Sequence, residues 1–310
     1  MYPYQLSDLL PVNTKTTFVI VSSTFFSDFF LPGALALVML GMGLTLTIED
    51  FKGVFKHPRG IFIGLGAQML LLPLIAFLIA ALFPIAPEVK VGLVLLAACP
   101  GGSSSNLVNH LLKGNVALSI SLTAFNSLLA LFTIPIVVNL AMNIFLGKSH
   151  EFHLPMGHTM LNIFCFTILP ALVGVYLRGK FPITAKIVER PLRYILPVVL
   201  FIAFGGIFFF DRKDNSTHFT DLVGLLPIAL LLNIAGMVAG YYLSLMGKQG
   251  KKIRTTVAVE VGLQNSSLAI FIATTLLKST SMAVVAVLYG ITSFFITVLI
   301  GWLIYRFVEE

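Results

Sequence analysis

In 310 residues, 57% are of the types AVILMFWYC and only 11% are Asp, Glu, Lys or Arg, with a mean hydropathy of +0.97. A soluble domain carries about a quarter charged residues because water must wet its surface, so this composition excludes one. The net charge of +7 does not indicate a nucleic-acid partner, because the basic residues lie in short loops and no long basic run exists.

Residues 1–17 are too polar to span a bilayer and carry neither a charged n-region nor a small-residue cleavage site. The apolar stretch 18–47 is interrupted by Asp28 and Pro32, and it reads as one span over 30–47 with an extracellular lead-in. Further spans follow at 60–83, 91–112, 115–147, 157–177, 193–210, 221–246, 255–277 and 281–305. Most are close to the twenty or so residues that a helix needs to cross about 30 Å of hydrocarbon. The expectation is an all-α integral membrane protein of about nine transmembrane helices, a single transmembrane domain over 1–310.

Of the twenty basic residues, fourteen lie in loops 48–59, 113–114, 178–193 and 247–254 and in the C-terminal tail. The opposite side holds Lys15, Lys90, Lys148, Arg212, Lys213 and Lys278. The positive-inside rule then makes the first set cytoplasmic, with the N-terminus outside, in a multi-pass protein of the cell (inner) membrane. Cys99 and Cys165 both fall in apolar blocks, so neither a disulfide framework nor a metal cluster is indicated. The histidines show no metal-ligand spacing.

A short internal repeat is visible. Gln68–Pro73 (QMLLLP) precedes the block with Gly101, Gly102 and Asn106, and Leu222–Pro227 (LVGLLP) precedes the block with Gly262, Gln264 and Asn265. Five spans separate the members of each pair, an odd number, so the halves are inverted relative to one another. Inverted repeats of this kind belong to secondary transporters, although a match this short also arises by chance.

Glu260 is the one acidic residue in an unbroken apolar context. A carboxylate in hydrocarbon costs several kcal/mol by insertion scales, so it faces a polar interior and has a partner. No intramembrane Lys or Arg is available, which leaves a proton or a bound cation. A permanently protonated, purely structural carboxyl is the plainer alternative.

Directly after it come Gly262, Leu263, Gln264, Asn265 and Ser266, and span 3 carries Cys99-Pro100-Gly101-Gly102-Ser103-Ser104-Ser105-Asn106. Pro100 removes a backbone donor and the glycines lower helix propensity, so both runs break a helix. Ser and Asn then restart one. Each break falls about eight to eleven residues into its span, near the bilayer midplane at about 1.5 Å per residue.

Irregular backbone at that depth is tolerated only inside protein or beside a cavity. Freed carbonyls with Ser, Asn and Gln oxygens suit a hard monovalent cation such as sodium, and the two half-helix N-termini favour an anion. Close helix packing is the alternative for the glycines and serines alone. Gln68, and Ser119 with Thr123 one turn later, add oxygens. Walker, Rossmann and nucleophile-elbow motifs are absent, so no enzyme and no organic cofactor is expected.

These segments resemble the bile acid:sodium symporter family: Leu40–Leu46 (LGMGLTL), Ala67-Gln68, Cys99–Asn106, Lys113–Ser119 (KGNVALS) and Val259–Ser266. The resemblance implies inverted repeats forming a core domain with two crossing broken helices (about 60–147 and 221–305), packed on a panel domain (about 28–47 and 157–210). It implies one sodium site at Ser105, Asn106, Ser119, Thr123 and Glu260. A second would use Gln68, Glu260, Gln264 and the carbonyls of Val261 and Leu263. Ser103 and Asn265 become substrate contacts, with Thr297 on the last helix.

The expected activity is sodium-coupled symport of a small organic anion, bile-acid-like or a small carboxylate, by alternating access. Its partners are that anion and the bilayer, with no nucleic acid and no obligate protein partner. Two alternatives stay open: proton-coupled or arsenite-type efflux depending on Cys99, and a non-transporting membrane receptor. The chain departs from bacterial relatives at Phe294-Phe295-Ile296-Thr297, where a polar pair is often found.

Overall fold

The computed structural model describes residues 30–47, 58–147, 156–188, 191 and 219–307. These form an all-α membrane fold. The predicted span at 193–210 and the lead-in at 1–29 lie outside the described residues.

Helix α1 is Leu31–Thr45 and α2 is Pro58–Leu82. Helices α3 (Pro87–Ala98) and α4 (Ser103–Leu111) are the halves of the expected third span. Helix α5 is Val116–Phe145 and α6 runs from Met156 to Lys180. After these come α7 (Phe219–Met246), α8 (Lys251–Gly262), α9 (Ser266–Leu276) and α10 (Thr280–Phe307).

Proline shapes several of these helices. Within α2, residues Ala67–Leu71 widen into a π turn immediately before Leu72-Pro73. Helix α6 repeats the device at Phe164–Ile168 before Leu169-Pro170. Proline has no N–H to donate and its ring crowds the carbonyl four residues earlier; one extra residue in the turn relieves that clash. In α2 the π turn also carries Gln68, which is buried.

Among the described residues, five helices are long and apolar enough to cross a bilayer, and Pro32–Thr45 and Ser266–Leu276 are shorter apolar ones. Their outer faces say what surrounds them. Leu70, Leu74, Leu78 and Leu82 on α2 recur every fourth residue, as do Leu128, Phe132, Ile136, Leu140 and Ile144 on α5, and each is at least half exposed. Apolar stripes of this length are a liability in water and the normal surface against acyl chains.

The interior is built on the half-helices. Val91–Ala98 of α3 are buried on every side, as are Arg254–Gly262 of α8. An element without an exposed face needs neighbours all round. Helices α7 and α10 supply them for α8, and α2, α5 and α10 for α3. Helices α1 and α6 pair closely: a methyl built on Gly43 would overlap the backbone carbonyl of Ala171, and one on Gly174 the backbone at Leu40 and Gly43.

Candidate ion and substrate site

Two breaks face each other in the interior. Helix α3 stops at Ala98, Cys99 is extended (φ −70°, ψ 148°), and α4 restarts after Gly102. Helix α8 stops at Gly262 and Leu263 is extended (φ −116°, ψ 106°). The side chain of Asn265 then caps α9 by accepting from the Leu268 N–H at 3.0 Å. Gly101 and Gln264 form an isolated antiparallel bridge, and the Asn265 N–H donates to the Pro100 carbonyl at 2.8 Å. The broken segments therefore meet at their breaks and run in opposite directions there. Each satisfies backbone groups that the other leaves open.

Glu260 lies one turn before its break and is fully buried. Ser119 donates to its Oε1, Thr123 donates to Oε2 at 2.9 Å, and Asn109 Nδ2 stands 3.5 Å from Oε1. The Ser119 oxygen also lies 2.7 Å from the Asn106 amide oxygen, so its single proton is shared between two acceptors, and it accepts from Asn109 at 2.9 Å. The set is possible because Ser119 and Thr123 are four apart on α5 and share a face. Asn115 starts that helix by capping the Leu118 N–H at 3.1 Å.

Gly101 is where the two breaks converge on this carboxylate. A methyl built there would stand 2.8 Å from Glu260 Oε2 and 3.5 Å from both the Leu263 carbonyl and Ser105 Oγ. On the far side of Gln264 a second polar set forms. Gln68 donates to the Gln264 amide oxygen at 3.0 Å, and the Gln264 amide donates to the Val261 carbonyl at 2.8 Å.

The structure thus brings Ser105, Asn106, Ser119, Thr123 and Glu260 to one locality and Gln68, Val261 and Gln264 to the adjoining one, with the Leu263 carbonyl beside Gly101, where Glu260 Oε2 also lies. Every donor to Glu260 among the described residues is neutral. The assembled oxygens are those of hydroxyls, amides, carbonyls and a single carboxylate, which suits a hard cation rather than a thiolate- or imidazole-seeking metal.

The expected substrate contacts divide. Ser103 is the first residue of α4, directly at the break. Asn265 is the N-cap residue just before α9, with its oxygen committed to the cap. Thr297 is fully buried on α10 and accepts from Asn233 at 2.9 Å. Cys99 is fully buried in the apolar core.

Sequence reading passed over Asn109, Asn233 and Tyr289. Asn109 was open to discovery, since it follows Ser105 by four residues and Asn106 by three on the same half-helix. Asn233 is the lone amide in the apolar run Ile228–Ala235 of α7, which is a signal of the same kind as Glu260. Tyr289 is an aromatic in an apolar helix, and nothing in the sequence marks it.

Residues 32–213 match the sequence profile described as the sodium bile acid symporter family. Among curated proteins, a probable sodium/metabolite cotransporter of Arabidopsis thaliana, chloroplastic, is 31% identical over 77% of the chain and 58% of its own length. An uncharacterized sodium-dependent transporter of Bacillus subtilis is 32% identical over 77% of the chain and 72% of its own. Sodium/bile acid cotransporter 4 of Homo sapiens is 31% identical over 77% of the chain and 54% of its own. The chain spans less than two thirds of the length of most of these relatives.

Proposed function

The chain belongs to the sodium bile acid symporter family, and on that premise we propose that it is a secondary transporter coupling sodium entry to uptake of a small organic anion. The observation that carries the proposal is Glu260: a fully buried carboxylate at the crossing of two antiparallel helix breaks, surrounded by neutral oxygens and amides. A charge at that depth is costly without a partner, and a monovalent cation supplies one.

Ser105, Asn106, Ser119, Thr123 and Glu260 would hold one sodium ion. Gln68, Gln264, the Val261 and Leu263 carbonyls and the same carboxylate would hold a second. Two sodium ions against one carboxylate leave one positive charge, and the N-termini of α4 and α9 add partial positive charge at the break. An anion lying between Ser103 and Asn265, with Thr297 of α10 as the third expected contact, balances that charge. The family relationship and the names of the relatives, sodium/metabolite and sodium/bile acid, favour an organic anion over an inorganic one.

In this scheme the ions order the crossing and so build the anion site, which couples the two gradients. The crossing belongs to a core of about 60–147 and 221–305, which moves against a panel of about 28–47 and 157–210 to expose the site to alternate sides. The close pairing of α1 with α6 agrees with their being one rigid part of that panel.

The test is uptake into proteoliposomes loaded with potassium and diluted into sodium or potassium, with a labelled bile acid and labelled short carboxylates as probes. Sodium-driven accumulation of an anion, absent in Glu260→Ala, is expected. Uptake that persists in Glu260→Ala, or that ignores the cation, contradicts the proposal.

A further inference from the structure

The Gly262 carbonyl has lost its helical partner. In a continuous helix it would accept from the residue 266 N–H, but Ser266 donates to the Gln264 carbonyl at 3.0 Å instead. Side chains from two other helices take its place. Asn233 Nδ2 on α7 and the Tyr289 hydroxyl on α10 both donate to Gly262 O. Asn233 Nδ2 also reaches Thr297 Oγ1 at 2.9 Å and lies 3.5 Å from the Tyr289 oxygen. Asn233, Tyr289 and Thr297 are all fully buried or within 1% of it. A carbonyl only accepts, so the amide nitrogen of Asn233 must be the atom that faces it.

The clasp is built into how α7 docks. Asn233, Gly236 and Met237 are three and four apart and so share a face. A methyl on Gly236 would stand 2.7 Å from the Val261 carbonyl, and one on Gly262 would overlap Met237. Asn233 is therefore held against the last turn of α8 by backbone-to-backbone contact one turn away. Its reach to Gly262 does not depend on a long side chain finding its way.

Gly262 is the residue between Val261 and Leu263, whose carbonyls are assigned to the second sodium site. Leu263 is extended, and in extended backbone successive carbonyls point to opposite sides. Fixing the Gly262 carbonyl toward α7 and α10 thus fixes the Leu263 carbonyl toward Gly101. We propose that Asn233 and Tyr289, steadied by Thr297, are positioning residues for the second sodium site: they hold the Gly262 carbonyl toward α7 and α10 and so aim the Leu263 carbonyl at the ion. The proposal rests on the sodium reading of that site. It adds that the affinity of the site is set from α7 and α10, by residues that never touch the ion. Partners of this outer kind, when lost, cost metal sites about 10- to 100-fold in affinity.

The experiment is a sodium titration of melting temperature on the detergent-purified full chain, at constant ionic strength with potassium, for wild type, Tyr289→Phe and Asn233→Leu. Tyr289→Phe removes one oxygen and keeps the ring, so it tests the clasp with little disturbance of packing. Asn233→Leu keeps the volume and provides the second arm. A half-saturating sodium concentration raised about 10- to 100-fold, with a shallower titration and a melting temperature in potassium close to wild type, is expected. Melting temperatures that fall in potassium while the sodium midpoint is unchanged would mean a packing role only, and would overturn the proposal. A wild type that shows no sodium response at all would instead remove the sodium reading on which it stands.

Discussion

Glu260 takes its donors from two elements: Ser119 and Thr123 from one face of α5, and Asn109 from α4, whose Asn106 bonds Ser119 in turn. Charge and shape separate cleanly at this position. Glu260→Gln keeps the volume and most of the hydrogen bonds while deleting the charge, so it should retain a folded protein with no sodium-dependent rise in melting temperature. Thr123→Val removes the 2.9 Å donor to Oε2 and one oxygen proposed to bind the first sodium ion. It should raise the sodium midpoint severalfold without abolishing the response, read by the same titration. Gly101→Ala would put a methyl 2.8 Å from Oε2, and it should cost at least as much as Thr123→Val although Gly101 offers no side-chain ligand. Glu260 was legible in the sequence because a carboxylate has no business in an apolar run unless something pairs with it. Asn233 carries a fainter version of that signal. Tyr289 carries none, because a tyrosine in an apolar helix announces its hydroxyl partner only once the facing helix is known.

The broken helices were legible as elements from Pro100 with two glycines, and from Gly262 followed by Gln264 and Asn265, since those residues deprive a helix of donors or of propensity. Their meeting was not. The antiparallel bridge between Gly101 and Gln264 joins residues far apart in sequence, and no local pattern encodes that register. The π turns before Pro73 and Pro170 were likewise hidden, because a proline signals a disturbed helix without saying whether it kinks, ends or widens. Gln68 reaches Gln264 from within the first of these turns. At the α1–α6 pair, Gly43→Leu should force the helices apart, at about 1–3 kcal/mol by analogy with overpacked cores. That destabilisation should appear as a lowered melting temperature in sodium and potassium alike, with the sodium midpoint unchanged, because neither helix carries a proposed ion ligand.

At the scale of the molecule, the membrane setting follows from composition and from the exposed leucine and phenylalanine stripes of α2 and α5, and family membership from the match over 32–213. The orientation proposed from the basic loops has its own check. In a background with Cys99 and Cys165 replaced by serine, cysteine placed at exposed Lys248 should react with an impermeant maleimide only from the cytoplasmic side. Cysteine at exposed Lys278 should react from outside. The coupling account as a whole rests on one claim, that the crossing binds sodium through Glu260. The most direct measurement is the melting temperature of the purified protein in sodium chloride against matched potassium chloride, for wild type and Glu260→Ala. A ligand that binds only the folded state at about 100 times its Kd adds about 2.7 kcal/mol of stability. The account predicts a sodium-specific rise in wild type that Glu260→Ala abolishes. Equal melting temperatures in the two salts, or a rise that survives in Glu260→Ala, would contradict it.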